Sequence, residues 1–356
     1  MAVVIDDETL VREQRSYPLL YWQYADHLER IGRQRPKAIF VDMWLHDQRE
    51  NDDSMDELVR VICRLSNPPE SLDQKPVAVF LLSLRAHGLG LHPALNAVSD
   101  RGAQPGKKPC FFEVDASVPG DHPEQKGWYY PFKVCGYENC LPSAAVAIYN
   151  RVLTTTPKQQ IHAAQEGNFQ LLWTNQASHI QAEAQLKKAL YGHVPAFLEE
   201  CTPSKKTFYF AKYFLLSSVV EDPPVCSSFL QLTTYDLELL TSQKHRAGEG
   251  LYVSNHMNDA VVVYGYRLAG LNDYVNSPVH GPTLGLEYHL MAINNLDRLG
   301  NDVIQENQYV DFLSSLKTRE FWFTVFLCAM GSAIAICIRK IRTMRKRATK
   351  ANRSRL

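Results

Sequence analysis

The sequence predicts an α/β fold: a mostly parallel sheet covered by helices on both faces, followed by a single C-terminal transmembrane helix. Three observations carry that expectation. Residues 1–84 alternate short apolar strands with amphipathic helices, and strands without polar alternation are the kind buried on both faces of a parallel sheet. A late strand, DAVVVYGY at residues 259–266, is again followed by a helix. Residues 321–338, FWFTVFLCAMGSAIAICI, hold no charge. At about 1.5 Å per residue they reach roughly 27 Å, close to the ~30 Å hydrocarbon core of a bilayer.

The first strand, residues 3–7, is the β-branched run VVIDD ending in two acids. Residues 17–34 then carry apolar side chains at helical spacing until Pro36 stops them. Residues 37–45, KAIFVDMWL, make the second strand. In residues 54–65, SMDELVRVICRL, Ser54 stands where an N-cap belongs, and Glu57 three residues later completes a capping-box pattern. The third strand is PVAVFLLSL at residues 76–84. Glycine and proline recur through residues 87–126, which read as loops around one strand at 110–114. An aromatic strand at 128–132 and a helix at 144–153 follow. Residues 154–224 are the least legible, with a strand at 168–174, a helix at 182–191 and the aromatic run TFYFAKYFLLSSV. A short strand at 252–255 precedes the clear one at 259–266. Gly265 and Gly270 bracket a turn, and residues 285–299 form the last helix.

Lys and Arg number 38, as do Asp and Glu. Nine of those bases and no acid fall in residues 339–356, so residues 1–320 carry 29 bases against 38 acids, a net of −9. That balance excludes a nucleic-acid-binding body. A basic tail directly after an apolar span fits the positive-inside rule and anionic lipid instead. Trp322 and Phe323 sit where an interfacial aromatic belt belongs. The rule puts the tail in the cytoplasm and residues 1–320 outside it. The chain then divides into a folded domain at 1–316, a juxtamembrane and transmembrane helix at 317–338, and a basic cytoplasmic tail at 339–356. Six cysteines precede the span, and Cys328 and Cys337 lie within it. An even number in an exported domain permits disulfides, and Cys135 is close enough in sequence to Cys140 to pair with it, or either with Cys110. Met1 is followed at once by a strand, with no signal peptide, so export calls for an anchor upstream of this start.

Several stretches share one pattern. Ile5-Asp6-Asp7 ends the first strand, Tyr17-Pro18 opens the first helix, KAIFVD ends the second strand at Asp42, and PSAAVAIYNRVL supplies a helix after the middle loop. The closing segment, VVVYGYRLAGLNDYVNSPVHGPTLGLEYHLMAINNL, runs from strand to glycine, to an Asp-bearing loop, to proline and a His-bearing helix. Its marker residues are Gly265, Gly270, Asp273, Pro278, Gly285 and His289. Together these motifs resemble the CHASE2 domain, an extracytoplasmic sensory module of bacterial membrane receptors. The resemblance covers both ends of residues 1–320 and thins between 155 and 250. It implies a single-pass protein of the bacterial inner membrane. Family members carry a membrane helix before the first strand and continue into a kinase, cyclase or similar output domain. Here an 18-residue basic tail follows the span, so the resemblance implies a separate cytoplasmic output partner.

Asp6, Asp7 and Asp42 fall at the carboxyl ends of strands expected to be adjacent, where open α/β sheets form their ligand crevice. Asp273 follows the late strand, and His289 lies on the last helix. Clustered carboxylates there would hold a cation or a ligand's ammonium group. Strand-end acids also cap helices and bind loop amides, and a lone helical histidine is commonly structural. His87, His92, Asp121 and His122 match no zinc spacing. DDET after the first strand has the outline of a phosphatase nucleophile loop, but Glu8 replaces its second Asp and no Lys-bearing partner motif follows. G-x-S-x-G, GK[ST] and H-E-x-x-H are absent. The expectation is a non-enzymatic sensor without cofactor or metal, binding an unknown small ligand or protein at Asp6, Asp7, Asp42, Asp273 and His289. Residues 321–338 would relay the signal, most economically within a homodimer. Two other readings stay open: a membrane-tethered interaction protein, and a metal-dependent hydrolase built on the strand-end acids.

Overall fold

The computed structural model describes residues 1–46, 52–71, 74–102, 106–117, 127–136, 139–154, 156, 159–162, 165–173, 184, 187–188, 229–242, 257–268, 270–271, 273–277 and 281–303. All belong to one compact unit, Met1–Val303. The expected span at 321–338 and the basic tail lie outside the described residues. Among the described residues no helix is long and apolar enough to cross a membrane.

In chain order the first half contains β1 (Ala2–Asp6), α1 (Asp7–Arg12), α2 (Tyr21–Gly32), β2 (Ala38–Asp42), α3 (Met55–Ser66), β3 (Ala78–Leu82), α4 (Pro93–Asn96), β4 (Phe112–Val114), β5 (Tyr129–Pro131), β6 (Lys133–Cys135) and β7 (Cys140–Pro142). There follow α5 (Ala144–Ile148), β8 (Asn168–Gln170), β9 (Gln231–Thr233), α6 (Thr234–Ser242), β10 (Val261–Arg267), β11 (Tyr274–Ser277), β12 (Gly281–Leu284) and α7 (Gly285–Leu299). Six strands form one sheet in the order β4-β3-β2-β10-β1-β9, and every neighbouring pair is parallel. The α/β architecture and parallel sheet are as the sequence predicts. One expectation is corrected: β1 and β2 are not adjacent, because β10 lies between them, pairing Asp6 with Arg267 on one side and Gly265 with Asp42 on the other.

The period-2 alternation of strand side chains explains why both faces of this sheet are buried. Val3, Ile5, Ile39, Val41, Val79 and Tyr264 pack with α2 and α3 in one core. Ala2, Val4, Ala38, Phe40, Phe80 and Val263 pack with α5 and α7 in the other. On α2, Tyr21, Tyr24, Ala25, Leu28 and Ile31 recur at helical spacing and are all buried. That helix starts at Tyr21 rather than residue 17, and the Gln23 side chain accepts the Leu20 N–H at 2.8 Å and closes its first turn.

The capping box expected for α3 does not form. The Ser54 hydroxyl donates to the Asp52 carboxylate and accepts the Trp22 N–H, so it is unavailable to its own helix. α5 continues as a π-helical turn, Tyr149–Leu153. The expected helix at 182–191, apart from residues 184, 187 and 188, and the strand at 252–255 lie outside the described residues. Two disulfides fasten the periphery: Cys63–Cys110 ties α3 to the entry of β4, and Cys135–Cys140 joins β6 to β7. Cys201 and Cys226 lie outside the described residues.

Candidate functional site

The carboxyl edge of the sheet is organised by the first turn of α7, which straddles β10. Successive helix positions turn by about 100°, so Leu286, Glu287 and His289 diverge. Leu286 covers Gly265, where a Cβ would meet its Cδ2 at 2.9 Å and the Asp42 carbonyl at 3.1 Å. Only glycine lets the helix approach the strand this closely. Glu287 turns toward β9 and is held by Gln231 at 2.6 Å and by the Thr283 hydroxyl. His289 turns the other way, toward β2.

His289 is 4 % exposed and sits between two groups. Its Nδ1 is 2.9 Å from the Tyr130 hydroxyl, and its Nε2 is 3.5 Å from the Asp42 carboxylate. The Tyr130 hydroxyl and the Asp42 carboxylate thus flank the two ring nitrogens from opposite sides. β5 holds Tyr130 in place, and the neighbouring Tyr129 carbonyl accepts the Tyr288 hydroxyl at 2.5 Å. Asp273 closes the group. Its carbonyl accepts the Gly285 N–H at 3.0 Å, and its carboxylate lies over the Gly285 Cα.

Burial governs the charges here. It pushes Asp42 up to about 7, with the carboxyl only 9 % exposed. It pushes His289 down to about 4, against the pull of Asp273 and Asp115. Asp273 also rises, through burial first and the nearby Asp42 second, although the residue as a whole is exposed. Its carboxylate end is the part turned inward onto Gly285, which accounts for the difference. Asp115, fully buried, spends one oxygen on the Ser117 N–H at 2.7 Å; its Oδ2 and the Ser143 hydroxyl have no hydrogen-bond partner among the described residues. Leaving such buried oxygens unsatisfied costs free energy.

Of the five residues singled out from sequence, Asp42, Asp273 and His289 come together. Asp6 does not join them. It caps α1 by accepting the Thr9 N–H at 2.9 Å and pairs with Arg267 at 2.7 Å. Burial raises its pKa, but the Thr9 bonds and Arg267 outweigh that and hold it below the usual carboxylate range. Asp7 is exposed on the first turn of α1. His92 caps α4 and His87 bonds Ser117, while Asp121, His122, Pro278 and His280 lie outside the described residues. Among the described residues, no three His, Cys, Asp or Glu side chains stand in metal-holding geometry. Sequence reasoning missed Tyr130, Ser143 and Asp115. The last had a signal: FEVD at 112–115 ends a strand in an acid as AVVID and AIFVD do.

The model of the CHASE2 domain family matches residues 1–333. The chain belongs to the CHASE2 family. CHASE2 domains are extracellular sensory modules of membrane receptors and not a catalytic family. Nothing among curated proteins matches this CHASE2 chain, and neither does any solved structure. The glycines and acids at the CHASE2 chain's carboxyl edge thus carry its functional reading on their geometry.

Proposed function

We propose that residues 1–316 form an extracytoplasmic sensor of the bacterial inner membrane, anchored through residues 317–338, with the basic tail at 339–356 in the cytoplasm on anionic lipid. The sensor has no catalytic role and signals through a partner protein, with a homodimer as the transmitting unit. Its ligand is a cationic ammonium compound and is read at Asp42, Asp273 and His289. The convergence of these three side chains on the first turn of α7 carries the proposal, because a ligand that moves them moves the helix leading out of the domain. Exposed Trp44 and Tyr274, each within two residues of one of the carboxyls, offer aromatic faces of the kind that attract ammonium groups.

Titrating the full chain with methylammonium or tetramethylammonium tests the reading by thermal shift. One of these probes is expected to raise Tm, by about 2–4 °C at a hundredfold excess over Kd, and Asp42→Asn or Asp273→Asn to abolish the rise. No shift with any probe, or a shift kept in both variants, would sink the reading.

Topology has its own test. Disulfides persist in oxidising compartments, so a membrane-impermeant thiol reagent applied to intact cells is expected to label Cys63, Cys110, Cys135 and Cys140 only after reduction. Labelling only after lysis, without reductant, would put the domain in the cytoplasm.

A further inference from the structure

The opposite edge of the same sheet holds a second concavity, independent of the carboxyl-edge site. The amino ends of β2 and β3 and the segment entering β4 enclose a cavity of about 540 Å³, within the roughly 300–1,000 Å³ typical of small-molecule sites. Arg35, Lys37, Lys75, Lys108 and Arg151 line it, over an apolar floor of Val77, Ala78 and Phe112. Asp259 is the one carboxylate among its described lining residues. Arg151 lies 3.8 Å over the Phe112 ring with Asp100 at 3.7 Å. The other four cations form no ion pair among the described residues.

Charge balance makes this arrangement informative. Residues 1–320 carry nine more acids than bases, so carboxylates are in surplus, yet these cations are grouped with one another. Grouping like charges around a hollow costs repulsion and raises the local potential for an incoming anion. The walls are also fixed. Arg35 and Asp259 both take left-handed backbone, at φ 58° and 59°, and are joined by the Asp259 N–H to the Arg35 carbonyl at 3.1 Å. Non-glycine residues keep such conformations only where their surroundings enforce them. The Cys63–Cys110 disulfide secures the far wall through Cys110.

We propose that this hollow binds a phosphoryl anion, either a free phosphate ester or the headgroup of an anionic phospholipid. The lysines supply point charge, and the stacked Arg151 supplies directed N–H donors.

Calorimetric titration of the full chain in neutral detergent at low salt tests it, with pyrophosphate as one probe and soluble dihexanoyl phosphatidylglycerol as the other. Dihexanoyl phosphatidylcholine is the control. Saturable binding of pyrophosphate points to the free ester, and binding of the glycerol lipid without pyrophosphate points to the headgroup. In either case Lys37→Glu with Lys75→Glu is expected to weaken binding about tenfold or more. Arg12→Glu with Arg60→Glu changes net charge equally on exposed side chains elsewhere and is expected to leave affinity within about twofold. Neither probe binding the wild-type chain, or equal losses in both variants, would overturn the proposal. All four side chains are solvent-exposed at least in part, and melting curves of the variants establish that each is folded before titration.

Discussion

Gly285→Ala is expected to abolish the response to a cation while leaving the domain folded. The added methyl would stand 2.6 Å from Oδ2 and 2.8 Å from Cγ of Asp273, well inside contact distance. Asp273 is the end of a short, partly solvent-facing side chain and can swing away, so the stability cost stays at ~1–2 kcal/mol, within the range for overpacking. In swinging away it leaves His289 and Asp42, and the three-way convergence is lost. Gly265→Val is the contrasting case. Its Cβ would press on Leu286 and on the backbone carbonyl of Asp42, which cannot rotate aside, so α7 must lift from the sheet and the loss should exceed ~3 kcal/mol. Tm with and without the cation separates the two: a Gly285→Ala protein that keeps the full shift would show that Asp273 plays no part.

The second large effect is on stability against pH. Asp42 has a folded pKa of about 7 against an ordinary 3.8. A raised carboxyl gives stability that is complete below 3.8 and disappears as pH climbs through 7. His289, at about 4 against an ordinary 6.5, does the reverse: its contribution is complete above 6.5 and disappears as pH falls through 4. Above pH 7, then, the His289 contribution is complete while Asp42 weighs on the fold, and at ~1.4 kcal/mol per pKa unit the cost from Asp42 reaches several kcal/mol. Asp42→Asn mimics the protonated acid. It is expected to match wild type in urea midpoint near pH 3.5, below the unfolded carboxyl's 3.8, and to be the more stable protein at pH 8.5. A difference between the two that does not change with pH would refute this account of Asp42. Cation affinity follows the same linkage, weakening below pH 7 as the bound ion competes with a proton for that carboxyl.

Much of this architecture was readable because it rests on local patterns. α7 spans residues 285–299 as expected, since its apolar spacing is long and uninterrupted. β1, β2, β3 and β10 were found within two residues or so at most ends, because buried parallel strands appear as continuous apolar runs. α1 was missed because a six-residue helix held by one Asp6 cap carries no periodicity. β9 was missed because three residues carry none either.

Strand order is a different kind of information. Nothing in residues 3–7 or 37–45 tells which strand will come between them, so Asp6 and Asp42 were placed side by side when β10 separates them. The candidate site was legible in its acids and histidine, all of which belong to recognisable strand ends or to the closing signature. Tyr130 was not, because its contact with His289 joins residues 159 positions apart, which no local pattern encodes.

The insertion of β10 also sets when the domain can exist. Ala2 and Val263 are register partners although about 260 residues separate them, so the middle of the sheet is closed by contacts among the most distant in the chain. High contact order of this kind makes for slow folding. Before β10 is available, β1 and β2 each have an open inner edge, and no compact half of the sheet is complete without it. On the extracytoplasmic placement proposed above, that delay would have a use: the polypeptide stays threadable until its last core strand has emerged. A folding intermediate trapped before that point would expose two hydrogen-bonding edges and be prone to aggregate.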